Sequence, residues 1–448
     1  MVQAATDCPM TAVPGAPNTG SLPGGEARAR ARLLVLSSLF PSASQPTAGL
    51  FIRERMFRVA RHRPLVVVAP QPWFPFQSLI RLFRPHFRPS SVKHEVMDGI
   101  EVHRPRFLSV PGMLKWADGF FMAACSYLTV RRVVKGHGLN MLDVHFGYPD
   151  GYAGWLLGRW LQLPVLLTLR GKEERQGRQG VGGPLRRAVV GAQRRICVSS
   201  ALRDVALRMG ANPSATTVIG NGVDLAKFHR EDRGIARRKL GLPPDARIII
   251  SVGTLIERKG FHRVIACMPQ LLTRCPDLLF LIVGGAASEG DMTQRLRAQI
   301  GAAGLERHVR MLGPVAPSEL RWPLSAADVF VLATSYEGWA NVFLEAMACG
   351  LPVITTDVGG NSEVVSSELV GTIVPYGQHA QLTRAIGAAL DKSWNRDAIQ
   401  EHAASCTWEV RVPALLGEYE ELLDEWLQGG TQRDTTRPAI ADEERFVA

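Results

Sequence analysis

The chain has 448 residues, 46% of them hydrophobic and 7% aromatic, which is too long for one ordinary core and suits two domains of about 200 residues each. Its net charge of +11 is uneven: residues 28–200 hold 27 Lys+Arg against 9 Asp+Glu (+18), and the remainder holds 25 against 32 (−7). No apolar run approaches the ~20 residues that span a bilayer, and no basic segment followed by an apolar run opens the chain, so a membrane span and a secretory signal are not expected.

A basic first half suits anionic lipid, an acidic acceptor or nucleic acid; the plainer alternative is solvated arginine on helix faces. The seven cysteines (8, 125, 197, 267, 275, 349 and 406) form no C-x-x-C pair. Several lie in apolar stretches, as reduced thiols of a cytoplasmic protein would.

Residues 1–29 are rich in Ala, Pro, Gly and Arg without periodicity and read as a disordered tail. A buried strand over 31–38, a Pro/Ser/Gly loop ending at Gly49, a helix over 50–61 and a strand over 64–69 predict the first βαβ unit of a doubly wound sheet. The loop after the first strand is where such sheets bind ligands. Residues 71–93 interleave Trp73, Phe74, Phe76, Leu79, Ile80 and Leu82 with Arg81, Arg84, Arg88 and Lys93. That pattern fits either a membrane-surface element or an ordinary surface helix.

A strand from 141 ends in a loop carrying His145 and Asp150. A helix over 153–161 follows, then a strand over 164–169 that ends in Arg170-Gly171-Lys172-Glu173-Glu174. A lone histidine at a strand end is more often structural than catalytic. Two polar clusters at neighbouring strand ends open on one rim and raise the case for function. A strand over 194–199 and a helix over 200–209 complete a first domain, residues 30–213, with the boundary near Asn212-Pro213-Ser214.

Beyond it, strands and helices alternate again through residues 214–405, with Gly-rich turns at 253–260 and 284–285, which predicts a second parallel α/β domain. Residues 394–426 are helical and amphipathic with an expected break before Pro413. Residues 406–428 form a helix able to cross back over both domains, and 429–448 read as a polar tail.

One stretch, residues 336–354, concentrates chemistry. It opens with Glu337-Gly338, runs through a short apolar helical pattern containing Asn341, Val342 and Glu345, and stops at Gly350. A helix N-terminus offers unpaired amides and a partial positive charge, so the amides around Asn341 and Val342 are candidate anion donors. Lys259 and Arg258, at the mouth of another strand, are placed to add cations to the same crevice. Glu345, one turn into the helix, is better placed for ribose hydroxyls than for phosphate, and Glu337 for a sugar or a developing positive charge. Spacing alone would equally allow two solvent-facing glutamates.

D-x-D is absent, as is any His/Cys/Asp cluster at metal-ligand spacing, so no protein-bound metal and no other cofactor is expected. G-x-G-x-x-G, the P-loop and the G-x-S-x-G elbow are absent too.

Several motifs together carry a resemblance. They are Glu337 and Glu345 in an E-x7-E arrangement, Asn221-Gly-Val-Asp224, Lys259-Gly260, and Thr356-Asp-Val-Gly-Gly-Asn-Ser-Glu363. In the first half they are His145-Phe-Gly-Tyr-Pro-Asp-Gly and Arg170-Gly171. Over roughly residues 32–423 the chain resembles retaining glycosyltransferases of family 4, whose GT-B fold is α/β, with two facing Rossmann-like domains. Phe40-Pro-Ser…Gly49 and residues 252–260 further resemble the branch that builds exopolysaccharide or other surface glycans.

The resemblance implies a sugar moved from a nucleotide-sugar donor, UDP favoured, to a glycan or lipid-linked acceptor, at the inner face of the plasma membrane if the basic half meets anionic lipid. Nucleic acid is not an implied partner. It implies Lys259 and the helix amides on the pyrophosphate, Glu345 on the ribose, Glu337 by the reacting sugar carbon and His145 bonded to the sugar across the cleft. The Gly49 loop would approach the phosphate or the acceptor, and Gly338 and Asn221 would belong to the donor site. Where the family commonly has Arg after the glycine of the Gly253 turn, this chain has Thr254, so Arg258 is expected to replace the charge. A sugar-nucleotide epimerase, a phosphorylase and a non-catalytic two-lobe binder are the alternatives.

Overall fold

A computed structural model describes residues 30–435 apart from 47, 84–87, 89–90 and 287–289. The first domain is built on strands β1 (Leu33–Leu36), β2 (Leu65–Val68), β3 (Gln71–Trp73), β4 (His94–Met97), β5 (Ile100–His103), β6 (Arg106–Leu108), β7 (Met141–His145), β8 (Val165–Leu169), β9 (Arg194–Cys197) and β10 (Thr216–Val218). Eight of them form one sheet in the order β10-β9-β8-β7-β1-β2-β5-β4; β3 and β6 pair separately. All neighbours in the large sheet are parallel except β4, which returns antiparallel along β5. Runs such as Leu33–Leu36 and Val165–Leu169 are buried along their whole length, because helices cover both faces of a parallel sheet.

The second domain carries β11 (Ile248–Val252), β12 (Leu279–Val283), β13 (Val309–Gly313), β14 (Val329–Leu332), β15 (Val353–Thr356) and β16 (Gly371–Val374). They form one parallel sheet in the order β13-β12-β11-β14-β15-β16. Strand order reverses at β1 in the first sheet and at β11 in the second. Open α/β sheets bind ligands at the carboxyl ends of the strands at such points. The loops that follow β1 and β11 both contribute to one cavity between the domains.

Three boundaries differ from the sequence expectation. Residues 213–215 are not a linker but a single helical turn, capped by the Asn212 side chain accepting from Ser214 N at 3.1 Å. That turn sends β10 back along β9, so the first domain extends through Val218. The C-terminal helix, Trp408–Thr435, runs through Pro413 without a break and past residue 428. Proline removes one backbone bond there, but Val412, Leu415, Tyr419 and Leu422 are buried against β1 and the helix Leu50–Val59, which holds the helix in line. The expected tail at 1–29, and residues 436–448 of the one expected at 429–448, lie outside the described residues, while 429–435 continue the helix.

The C-terminal helix returns to the first domain, as expected. Arg194 on β9 meets Glu418, Glu421 and Glu425 at 2.6–2.8 Å, and Tyr419 donates to the buried Asp143 on β7 at 2.7 Å.

Candidate active site

The cavity between the domains has a volume of about 520 Å³. The second domain contributes Gly253, Thr254, Arg258 and Lys259 from the turn after β11. It also contributes Glu337 through Val342 and Glu345 from the loop and helix after β14. The first domain contributes Arg170, Gly171, Lys172 and Arg175 after β8, and Leu50 and Phe51 at the start of the first helix. Of the residues singled out from sequence, Glu337, Glu345, Lys259, Arg258, Gly338, Asn341, Val342 and Asn221 all line this one space.

Glu337 is almost fully buried, and its carboxylate receives Lys259 Nζ at 2.6 Å, Arg258 Nη1 at 3.1 Å and Thr334 Oγ1 at 3.2 Å. Buried charge is tolerated only when paired and hydrogen-bonded, and here the pair is complete. Arg258 also donates to the Tyr336 carbonyl at 2.9 Å, so it braces the Glu337 loop besides lining the cavity. Thr254 lines the same cavity as these two cations. The charge missing at that position is thus accompanied by Arg258, and by Arg170, Lys172 and Arg175 from the facing domain.

The helix Asn341–Ala348 begins at the cavity wall with Phe343, Leu344, Ala346 and Met347 buried behind it. Its apolar face fixes its direction, so its N-terminal amides face the cleft. Glu345 lies on the opposite, cavity-facing side. Burial pushes its carboxyl up to about 7, against the pull of Lys259.

Two loops meet across the domain seam with no side chain between them. Gly171 has φ 117°, and a Cβ built on it would stand 2.6 Å from the Gly338 Cα. A Cβ on Gly338 would stand 2.3 Å from the Arg170 carbonyl oxygen. Only glycine allows this approach. Asn221 ties the seam further. Its Nδ2 donates to Asn341 Oδ1 at 2.9 Å and its Oδ1 accepts from Arg170 at 3.2 Å. Glu363, in the Gly-Gly-x-x-Glu segment, accepts from Ser200 N with both carboxylate oxygens at 2.8 Å, capping a first-domain helix from the second domain.

Two expectations are corrected. His145 does not reach into the cavity. It is fully buried at the end of β7, and its Nδ1 accepts from the Arg170 guanidinium at 3.0 and 3.3 Å. Burial, with Arg170 and Arg55 nearby, holds its pKa well below the usual histidine value, so the ring is neutral and positions Arg170. Gly49 is likewise turned inward. At φ 65° it caps the first helix, a Cβ there would strike the Leu39 carbonyl oxygen at 2.2 Å, and its neighbours Leu50 and Phe51 line the cavity instead.

A second cavity of about 450 Å³ opens in the first domain and shares Leu39, Phe146 and Lys172 with the first. Seven cations line it, Arg81, Arg88, Lys93, Arg104, Arg106, Lys115 and Lys172, against two carboxylates, Asp118 and Asp150. The sequence showed a basic first half, with Arg81, Arg88 and Lys93 in one stretch, but not their convergence with Arg104, Arg106, Lys115 and Lys172 on one cavity, because these come from separate stretches. Among the described residues one group of side chains stands at metal-ligand proximity, His94, Glu101 and His103, which the expectation of no such cluster overlooked. It lines neither cavity.

Two family models match, "Glycosyl transferases group 1" over residues 232–405 and "Glycosyltransferase Family 4" over residues 59–227. The chain is 29% identical over 343 residues to TuaC of Bacillus subtilis, a protein named for teichuronic acid biosynthesis, covering 74% of this chain and 82% of that protein. By structure it is similar to the sucrose-phosphate synthase of Thermosynechococcus elongatus (TM-score 0.66, 22% identity, 91% of this chain and 100% of that one). It is also similar to Anabaena HepE, solved in complex with UDP (TM-score 0.61, 19% identity, 90% and 100%) and with UDP-glucose. Matched by the two models over residues 59–227 and 232–405, with the double Rossmann-like architecture and its interdomain cavity, the chain belongs to the glycosyltransferases of group 1/family 4 type, with the GT-B fold.

Proposed function

We propose that this glycosyltransferase moves a sugar, with retention of anomeric configuration, from a UDP-sugar to an anionic glycan or lipid-linked acceptor in surface-glycan biosynthesis. The observation that carries this reading is the convergence of Glu337, Glu345, Lys259 and the start of the helix Asn341–Ala348 on one cavity between the domains.

In this reading the ribose hydroxyls donate to Glu345, and the diphosphate lies against the helix amides and Lys259. Lys259 exchanges its contact with Glu337 for the phosphate, and Glu337 turns toward the sugar. As the bond from the anomeric carbon to the diphosphate breaks, the acceptor hydroxyl bonds to that carbon on the same face and passes its proton to the departing diphosphate oxygen. The protein's part is positioning and stabilising leaving-group charge. Neutral His145, turned to Arg170, is given no proton to carry; it holds the guanidinium at the cavity wall. The cations and the helix end offset the two charges of a diphosphate, so no metal is assigned to this step. The HepE complexes with UDP and UDP-glucose support the donor class, and the TuaC likeness supports the surface-glycan setting.

The acceptor enters through the basic cavity, which joins the donor space at Phe146 and Lys172. Beside its lining residues, Phe76, Leu79, Leu82, Met113, Leu114 and Trp116 are exposed. Apolar side chains among cations suit peripheral contact with an anionic bilayer. No helix among the described residues is long and apolar enough to cross one.

A panel of UDP-, GDP-, ADP- and TDP-sugars, incubated with EDTA present, tests the reading. Turnover of a UDP-sugar with the product anomer matching the donor is expected. An inverted product, or turnover that EDTA abolishes and excess Mg²⁺ restores, overturns it.

A further inference from the structure

The antiparallel pairing of β4 and β5 sets His94 directly opposite His103. Glu101, two residues before His103, points to the same face of the strand, because side chains alternate with period two. His137, in the last turn of the helix Asp118–His137, approaches from the side. The ring nitrogens of all three histidines converge on one oxygen. Nε2 of His103 lies 3.2 Å, of His94 3.5 Å and of His137 3.7 Å from Glu101 Oε2.

His103 reaches Glu101 at hydrogen-bond distance, 3.2 Å, whereas His94 at 3.5 Å and His137 at 3.7 Å stand at the range of an ion pair, which needs their imidazoles protonated. Coordination by neutral imidazoles accounts for the mutual approach of His94, Glu101 and His103, whose ligand atoms lie within 4.8 Å of one another. In a tetrahedral zinc site with bonds of roughly 2.1 Å, ligand atoms stand roughly 3.4 Å from one another. Two imidazoles and a carboxylate are ligands that suit zinc, and a third imidazole fills the fourth position. The end of a helix also carries partial negative charge, which favours a cation there.

We propose that His94, Glu101 and His103 bind a zinc-class divalent ion, with His137 turning to complete a closed tetrahedral site. Such an ion ties the outer β4–β5 hairpin to the end of the helix Asp118–His137. With four protein ligands it leaves no position for substrate, and it stands clear of both cavities. It is a structural staple on the domain that receives the acceptor, independent of how sugar transfer is assigned.

The test uses the full chain, free of any affinity tag and stripped with EDTA, titrated with Zn²⁺ by calorimetry and with Co²⁺ by visible absorption. One equivalent of Zn²⁺ is expected, with the intense visible bands of tetrahedral Co²⁺ and a rise in melting temperature on Zn²⁺ addition. His103→Ala and Glu101→Gln are expected to weaken binding by at least the roughly 10–100-fold that losing a mere supporting partner costs. His94→Gln, at the most exposed of the ligands, gives the same result in a variant that keeps its fold. Zn²⁺ uptake and thermal stabilisation equal in wild type and these variants would overturn the proposal, as would no uptake at all.

Discussion

The two connected cavities are built on opposite electrostatic plans. In the donor cavity the key cations are already answered from within, since Lys259 and Arg258 both pair with Glu337. In the first-domain cavity seven cations face two carboxylates; Asp118 pairs with Lys115, Asp150 is taken up by Ser38 and Arg104 pairs with Glu95 outside the lining, which leaves the lining with a net positive charge. A site whose charges are balanced before ligand arrives can exchange one partner for another with little reorganisation, which suits a leaving group that must be released as product. A site with surplus charge attracts its ligand from a distance and is sensitive to salt. The donor side is therefore expected to fail by loss of single contacts, and the acceptor side by loss of field.

The largest effect separating the two should come from Lys259→Ala. It removes a charge-assisted contact worth about 1.5–3 kcal/mol and leaves Glu337 buried with one cation fewer. Transfer and donor hydrolysis should both fall about 10- to 150-fold while the circular dichroism spectrum is unchanged. Near-normal turnover would remove the donor assignment. Gly338→Ala comes next. A methyl group 2.3 Å from the Arg170 carbonyl cannot be absorbed by a side-chain rotation, so the seam must open. Since misplacement by about 1 Å can cost up to 10²-fold, kcat should drop by tens-fold, with the melting temperature moving little. An unchanged kcat would show that the two loops need not touch during reaction.

The difference between the cavities also marks what the sequence disclosed. The donor side was legible because helix 341–348, its Glu345 and the Lys259 turn each lie within one short stretch, where residue spacing converts directly into geometry. The strands that the sequence does mark are legible for the same reason, with ends within one or two residues, whereas β3 to β6, the helix Asp118–His137 and β16 carry no such signal and were not expected. Several features were not. His145 was expected in the cleft, but whether a strand-end side chain faces the cleft or the core depends on Arg170, 25 residues away, occupying the outward position. The cations of the basic cavity come from residues between 81 and 172, and the histidine cluster from residues between 94 and 137. Both need strand pairing to exist. The strand β10 was assigned to the wrong domain because Pro213 reads as a linker when it is the first residue of a capped turn.

A smaller effect should sharpen the acceptor side. Lys93 and Arg106 are exposed at the mouth of the second cavity, so reversing both to glutamate removes field without emptying the core. With an anionic acceptor, KM for acceptor should rise about tenfold at low salt, a change that shrinks as ionic strength rises. Donor hydrolysis without acceptor should be unaffected. Equal losses in hydrolysis and transfer would mean the two cavities are one electrostatic site.

The smallest effect concerns Glu345, whose carboxyl is raised from the ordinary range to about 7 by burial. Between the unfolded value near 4.5 and about 7 the folded chain holds a proton that the unfolded chain releases, so this residue's contribution to stability falls as pH rises through that window and is level above it. Glu345→Gln should accordingly be more stable than wild type above pH ~7, by about 1–3 kcal/mol, and equal to it near pH ~4.5. Donor affinity should run the other way. Ribose hydroxyls bond more strongly to a carboxylate than to an acid, so in wild type KM for donor should fall several-fold from pH ~6 to ~8 as Glu345 ionises. The glutamine variant should show no such fall and should bind less tightly at the upper end. Parallel profiles for the two proteins would place the ribose elsewhere. A variant that loses the pH dependence while gaining stability would mean that the donor cavity keeps an unfavourable buried carboxyl for the sake of the nucleotide it holds.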